Sequence, residues 1–189
     1  METLRSRHET GEDPRIIVRE ITEATDTLVL RLLLEHLKRI LHCDEPPRHI
    51  LLLAQGGFGR RHQHPCSDID LLFLYNERLT HDEKNLVGEL FRTLFDLGFK
   101  VGHCCRGYKE ALSIAQSDHQ SQTAMAESRF LAGDWRLFER FQHDLWRILQ
   151  RNRKELIQVK INEREERYAR YGSTINITEP NVKESPGGL

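Results

Sequence analysis

Apolar residues recur at helical spacing between Pro14 and His42, at Ile17, Ile21, Ala24, Leu28, Leu33, Leu37 and Ile40. Pro14 suits the first position of a helix, and Pro46 with Pro47 stops any continuation. Residues 1–13 are polar and read as a flexible leader. His49 to Ala54 is a short apolar run, the mark of a buried strand, and Ile69 to Tyr75 is a second. Between them, Gly56 to Ser67 carries three glycines and a proline and reads as a loop. Hairpin loops hold roughly 2–5 residues, so a longer connection between buried strands points to function. Thr80 and Glu83 have the spacing of a capping box, and Leu86, Val87, Leu90, Phe91, Leu94 and Phe95 give one apolar helical face that ends at Gly98. Phe99 to Cys105 reads as a third strand. Beyond it the pattern predicts helices over Tyr108–Gln116 and His119–Leu131, and a third that starts at a cap, Asp134. Arg151 to Arg170 is rich in Arg, Lys and Glu and reads as a solvated helix or as one that packs on a region outside this chain.

This order predicts an α/β (α+β) chain with a small mixed sheet, an N-terminal helix and a C-terminal helical region. The expected divisions are a leader at 1–13, a core with its N-terminal helix at 14–106, a helical region at 107–171 and a linker at 172–189. The linker ends in Pro-Gly-Gly-Leu and predicts a further region beyond Leu189.

Composition narrows the choice of chemistry. The chain has 189 residues, 38% apolar and 30% charged, with a net charge of −1. That balance gives no basic field for bulk nucleic-acid binding. No apolar run approaches the roughly 20 residues of a membrane-spanning helix, and the N-terminus lacks a signal-peptide core, so a cytoplasmic protein is expected. Cys43, Cys66, Cys104 and Cys105 fit neither a zinc site nor a disulfide framework and are expected as buried thiols.

The chemistry-bearing stretch is Gly56-Gly57-Phe58-Gly59-Arg60, followed by Ser67-Asp68-Ile69-Asp70. Glycines after a strand let backbone N–H groups approach a triphosphate. Asp68 and Asp70, two residues apart at a strand start, share one face while Ile69 enters the core. Two such carboxylates can hold Mg²⁺, which prefers hard oxygen ligands. Ser67 can donate to a phosphate or orient Asp68, and Arg60 can offer positive charge to phosphate oxygens. A lone Gly-Gly is usually a turn and a lone Asp-x-Asp usually solvated; their order around a long loop is what carries specificity.

This order resembles the polymerase-β-like nucleotidyltransferase superfamily, whose mark is Gly-Gly or Gly-Ser followed at an interval by Asp-x-Asp. Gly56-Gly-Phe-Gly-Arg60 with His64-Pro-Cys-Ser-Asp-Ile-Asp-Leu-Leu-Phe-Leu74 is similar to the protein-PII uridylyltransferase group within it. Leu97-Gly-Phe-Lys-Val-Gly-His103, Glu127-Ser-Arg-Phe-Leu-Ala-Gly-Asp134 and Glu179 to Leu189 extend the resemblance over nearly the whole chain from Pro14. It implies transfer of UMP from UTP to a tyrosine of the nitrogen regulator PII, with Mg²⁺ bound by Asp68 and Asp70 and the nucleotide by Gly56, Gly57, Arg60 and Ser67. Complete members add a hydrolase domain that removes UMP and two domains that sense glutamine. Arg61-His62 departs from the group's pattern and makes the loop basic, with His62 and His64 read as solvated. The strand Val101-Gly102-His103 supplies no third carboxylate, and Glu127 is a substitute more readily read as an ion-pair partner. Two other readings stay open: a nucleotidyltransferase moving AMP or using a small-molecule acceptor, and a regulatory domain that binds nucleotide without catalysis.

Overall fold

The computed structural model describes residues 2–65 and 67–171. They fall into two compact units, divided after Trp146. Cys66 and the expected linker at 172–189 lie outside the described residues.

The first unit opens with a helix, α1 (Glu2–Glu9), where the sequence suggested a loose leader. The Arg7 guanidinium explains the difference, because it donates to both Glu12 and Glu20 and ties the segment to the next helix. That helix, α2 (Pro14–His36), starts as expected, with Asp13 accepting from the Arg15 N–H and Pro14 in the first turn. Its buried stripe runs through Ile17, Ile21, Thr22, Thr25, Val29 and Leu33. Ala24 is exposed and Leu28 half-buried, because two threonines take the inward positions. They can do so because Thr22 and Thr25 each donate to a carbonyl four residues back, Val18 and Ile21. A π-helical turn, Leu37–Leu41, follows and ends at His42 in the left-handed region.

Strand β1 (Ile50–Ala54) leads into a four-residue helix, α3 (Gly56–Gly59), then the loop to β2 (Ile69–Tyr75). Helix α4 (His81–Asp96) has the predicted capping box between Thr80 and Glu83. It carries the chain over to β3 (Val101–Gly107), which lies parallel to β2; a parallel pair needs such a crossover. Helices α5 (Tyr108–Ser117) and α6 (His119–Ala126) come next. The expected helix to Leu131 stops early, and Arg129–Gly133 forms a strand, β4. Helix α7 starts at Trp135 and continues to Tyr171.

Among the described residues the sheet has the order β3-β2-β1-β4, with β1 antiparallel to both neighbours. The sheet therefore extends past residue 106, into the region the sequence assigned to helices alone. Ile50, Leu52, Ala54, Ile69, Leu71 and Phe73 form one core with α2 and α4. The alternate positions Leu51, Leu53, Leu72 and Leu74 are also buried, each worth about 1.5–3 kcal/mol against exposure. Asp70 belongs to this second face, which α5 covers at β2 and β3. There Tyr108 packs edge-on against Phe141, and its hydroxyl donates to Asp144 at 3.0 Å. The thiol expectation fails where the structure tests it: Cys43 and Cys104 are half-buried and Cys105 is exposed. The last two sit on β3, an edge strand that leaves both faces partly open.

In the second unit, Arg147 to Tyr171 is helical, with Gln158 donating to Asn162, Lys160 paired to Glu163 and Arg164 over the Tyr168 ring. No helix of the described residues is long and apolar enough to cross a membrane.

Candidate active site

The site forms where β1 ends and β2 begins. Gly56 takes a φ of 54°, in the left-handed region that glycine enters without strain. That turns the chain sharply out of β1, and the Gln55 N–H donates to the Asp70 carbonyl at 2.9 Å. The first residue of the turn thus lies beside the second carboxylate of the Asp-x-Asp pair.

Close packing around Asp70 follows from two glycines. A Cβ on Gly56 would stand 2.8 Å from Asp70 Oδ2. On the other side Asp70 pairs in register with Gly102 of β3, where a Cβ would overlap Asp70 Oδ1. The carboxylate is seated between two bare backbones. Gly102 falls at the strand position that offers no third acid, and the space its missing side chain leaves is filled by Asp70. A cleft of about 310 Å³ opens here, lined by Gln55, Gly56, Asp70, Gly102, Cys104 and Gln120. His103 alternates to the opposite face and stacks on Phe91, with centroids 4.6 Å apart.

Asp68 is exposed and Ile69 is buried, as the alternation predicts. The loop before Asp68 is fixed by a residue the sequence did not single out. The backbone N–H of buried Gln63 donates to Thr22 Oγ1 at 3.1 Å, and its side-chain amide donates to the carbonyls of Ser67 and Asp68 at 2.9 and 3.3 Å. Ser67 is exposed beside them, and His62 and His64 are exposed as expected.

The glycine turn closes on itself. Gly59 N–H donates to Gln55, Arg60 to Gly56 and His62 to Gly57, at 2.8, 3.1 and 2.8 Å. Arg60 is exposed, and its ion-pair partner is Glu127. Glu127 is thus an ion-pair residue, with Arg60 as its partner, while nearby Arg129 pairs with Asp26. No group of three or more His, Cys, Asp or Glu positioned to hold a metal occurs among the described residues. The expected ligands, Asp68 and Asp70, are two carboxylates, a donor type that suits Mg²⁺, an ion that keeps several waters and takes further oxygens from substrate phosphates. Size alone does not select this cleft. A larger one of about 590 Å³ lies at the far end of β1, bordered by Pro46, Phe130 and Trp135, and is lined by neither Gly56 nor Asp70.

The structure brings Gly56, Asp70 and the turn at Gly57 together. Ser67 and Asp68 are exposed and are not among the residues that line the cleft, and Arg60 is paired with Glu127. Gln63 and Asp26 escaped the reading of the sequence, which named Gly102 only as a position without an acid and Arg129 only within the segment Glu127 to Asp134. A structural signal for Gly102 was there, as a glycine inside a strand pattern, which marks close backbone approach.

Comparison with known proteins decides the family. Residues 1–107 match the nucleotidyltransferase family DUF294. The chain belongs to that family. Residues 155–189 match a second family, described as GlnD PII-uridylyltransferase. Relatives of this nucleotidyltransferase include the bifunctional uridylyltransferase/uridylyl-removing enzymes of Cereibacter sphaeroides (38% identity, 89% of this chain and 18% of the relative) and Aromatoleum aromaticum (38%, 82% and 18%). That of Ruegeria pomeroyi is 37% identical over 95% of this chain and 20% of the relative. The chain spans about a fifth of the length of these relatives. The resemblance read from residues 56–70 is borne out at the level of the family. A toxin–antitoxin crystal structure with AMP-PNP aligns at 18% identity and a TM-score of 0.42, over 68% of this chain and 95% of that one, and adds nothing to the assignment.

Proposed function

We propose that this nucleotidyltransferase moves UMP from UTP to a tyrosine of a PII-type regulatory protein, as part of a longer enzyme. The observation that carries the reading is the seat of Asp70, held between Gly56 and Gly102 at the mouth of a cleft. The names of its relatives favour uridylyl transfer over other nucleotides.

In this reading Asp68 and Asp70 hold Mg²⁺, which supplies charge neutralisation at the triphosphate when bound. Gly56 and Gly57 allow backbone N–H groups to reach phosphate oxygens. Ser67 donates to a phosphate. Arg60 exchanges Glu127 for a phosphate oxygen, so its positive charge reaches the nucleotide only as that ion pair opens. The residues bind, orient and neutralise, and positioning with electrostatics supplies most of the catalysis in phosphoryl transfer. No third acid is required for those tasks.

The test is transfer of label from α-phosphate-labelled UTP to a PII-type protein, with pyrophosphate release measured alongside. The reading expects Asp70→Asn to lower transfer by about 100-fold or more, the scale of losing one transition-state charge partner. Equal transfer from ATP, or to a small-molecule acceptor, would move the function to another nucleotidyltransferase. Nucleotide binding with no pyrophosphate release on any acceptor would make the domain a regulatory one.

A further inference from the structure

We propose that Arg129 is a positioning residue for the nucleotide site, acting through the glycine turn; the proposal rests on reading that turn as the triphosphate cradle. Arg129 opens β4 and pairs in the sheet with Ala54, the last residue before the turn. Its guanidinium is anchored on one side by Asp26 of α2, through two parallel bonds of 2.9 and 2.8 Å. Both side chains are only 17% exposed, so the pair is shielded from solvent. The remaining donors face the turn. Nη2 donates to the Phe58 carbonyl at 3.2 Å and Nε to the Gly59 carbonyl at 3.3 Å. The Phe58 ring is fully buried and lies 5.4 Å from Arg129 Cζ.

Each part has a consequence. A four-residue helix of glycine and phenylalanine has almost no intrinsic preference for its shape. Its Phe58 carbonyl takes a 3.2 Å bond from the Arg61 N–H, and the Gly59 carbonyl at its end draws on a donor outside the turn. Arg129 supplies that donor to Gly59 and a second one to Phe58, and Asp26 fixes the direction from which they come. The backbone of the same segment presses on the turn as well, because Gly59 has no room for a Cβ against the Glu127 carbonyl. Gly56 begins the turn and touches Asp70, so any loosening at Phe58–Gly59 reaches the carboxylate through three residues of chain. The role needs the planar fork of arginine: a lysine could meet Asp26 or one carbonyl, not all of them.

The experiment compares wild type, Arg129→Lys, Arg129→Asp, Asp26→Asn and the exchanged pair Asp26→Arg with Arg129→Asp. Amide hydrogen exchange of Gly59, Arg60 and His62 is read against the β1–β2 ladder, with Mg²⁺·UTP affinity from titration. Arg129→Lys is expected to speed exchange of the turn about tenfold beyond any change in the ladder. It is also expected to weaken nucleotide binding about tenfold, the lower end for groups that orient a binding shell. The exchanged pair restores an ion pair and should regain thermal stability over Arg129→Asp alone. It cannot donate to the two carbonyls, so turn protection and affinity should stay low. A merely structural ion pair would recover all three together, and that result overturns the proposal. Wild-type exchange at the turn in Arg129→Lys overturns it too. Should Arg129→Lys fail to fold, Asp26→Asn keeps the carbonyl donors, and faster exchange of its turn relative to the ladder is the expected result. A wild type that binds no nucleoside triphosphate sinks the nucleotide reading, and the exchange data then decide the clamp on their own.

Discussion

At the scale of single residues, space around Asp70 is set by what two glycines lack. Gly102→Ala would drive a methyl into Asp70 Oδ1, and the carboxylate would have to rotate out of its seat. The expected cost is about 1–3 kcal/mol of stability, typical of overpacking, with loss of Mg²⁺-dependent nucleotide binding out of proportion to it. Gly88→Ala is the matched control. Nothing lies within 4 Å of its new methyl, and the site is an exposed position of α4. It should raise stability by about 0.5–1 kcal/mol and leave binding unchanged; denaturant titration and nucleotide titration of both variants check the pair. The Asp-x-Asp pair and the Gly-Gly turn were legible in the sequence because local spacing creates them. The roles of Asp26 and Arg129 were not, because the two are far apart along the chain, and Gln63 was not, because Thr22, which fixes its backbone, lies 41 positions earlier. Arg129 meets Asp26 across 103 positions, and a window of sequence contains no trace of that pairing.

At the scale of elements, α2 and α4 meet at a histidine whose state is set by its surroundings. His36 Nε2 lies 3.0 Å from Thr93 Oγ1, and its Nδ1 lies 3.0 Å from Arg39 Nη2. The Thr93 hydroxyl donates to the Glu89 carbonyl, so it accepts from His36, and Nδ1 accepts from Arg39. Burial first, and Arg39 second, hold the His36 imidazole below its ordinary value of 6.5, against a weaker upward pull from Glu89 and Glu35. The unfolded chain therefore takes up this proton before the folded one does. The contribution of His36 is complete above about pH 6.5 and is lost as the pH falls below it. Chemical denaturation from pH 7.5 down to 5 should show wild type losing stability relative to His36→Gln, and an unchanged difference would refute the assignment. Most elements were legible from periodicity: β2 and the capping box of α4 fall where the pattern put them. Strand β4 was missed for physical reasons. Every residue from Arg129 to Gly133 is half-buried, so the edge strand shows no alternation. Its partner, β1, lies far earlier in the chain, and its Leu and Ala suit a helix equally well. The helical turn at Gly56–Gly59 was missed because its sequence opposes helix and the Arg129 clamp sustains it.

At the scale of the whole molecule, the sheet, its flanking helices and the cleft belong to the unit that ends at Trp146, and the Arg147–Tyr171 helix belongs to the other. The family match to residues 1–107 covers the turn, both carboxylates and Gly102, while β4 and its Arg129 lie beyond it. The glycine turn and the Arg129 that contacts it thus come from different stretches of the chain. The central claim is that Asp68 and Asp70, beside the Gly56 turn, bind a metal-complexed nucleoside triphosphate. The most direct test is calorimetric titration of UTP, ATP, CTP and GTP, with and without Mg²⁺, into wild type and into Asp68→Asn/Asp70→Asn. The account predicts Mg²⁺-dependent binding that favours UTP and disappears in the double variant while its fold persists. Binding that survives the double substitution, or that ignores Mg²⁺, would contradict it.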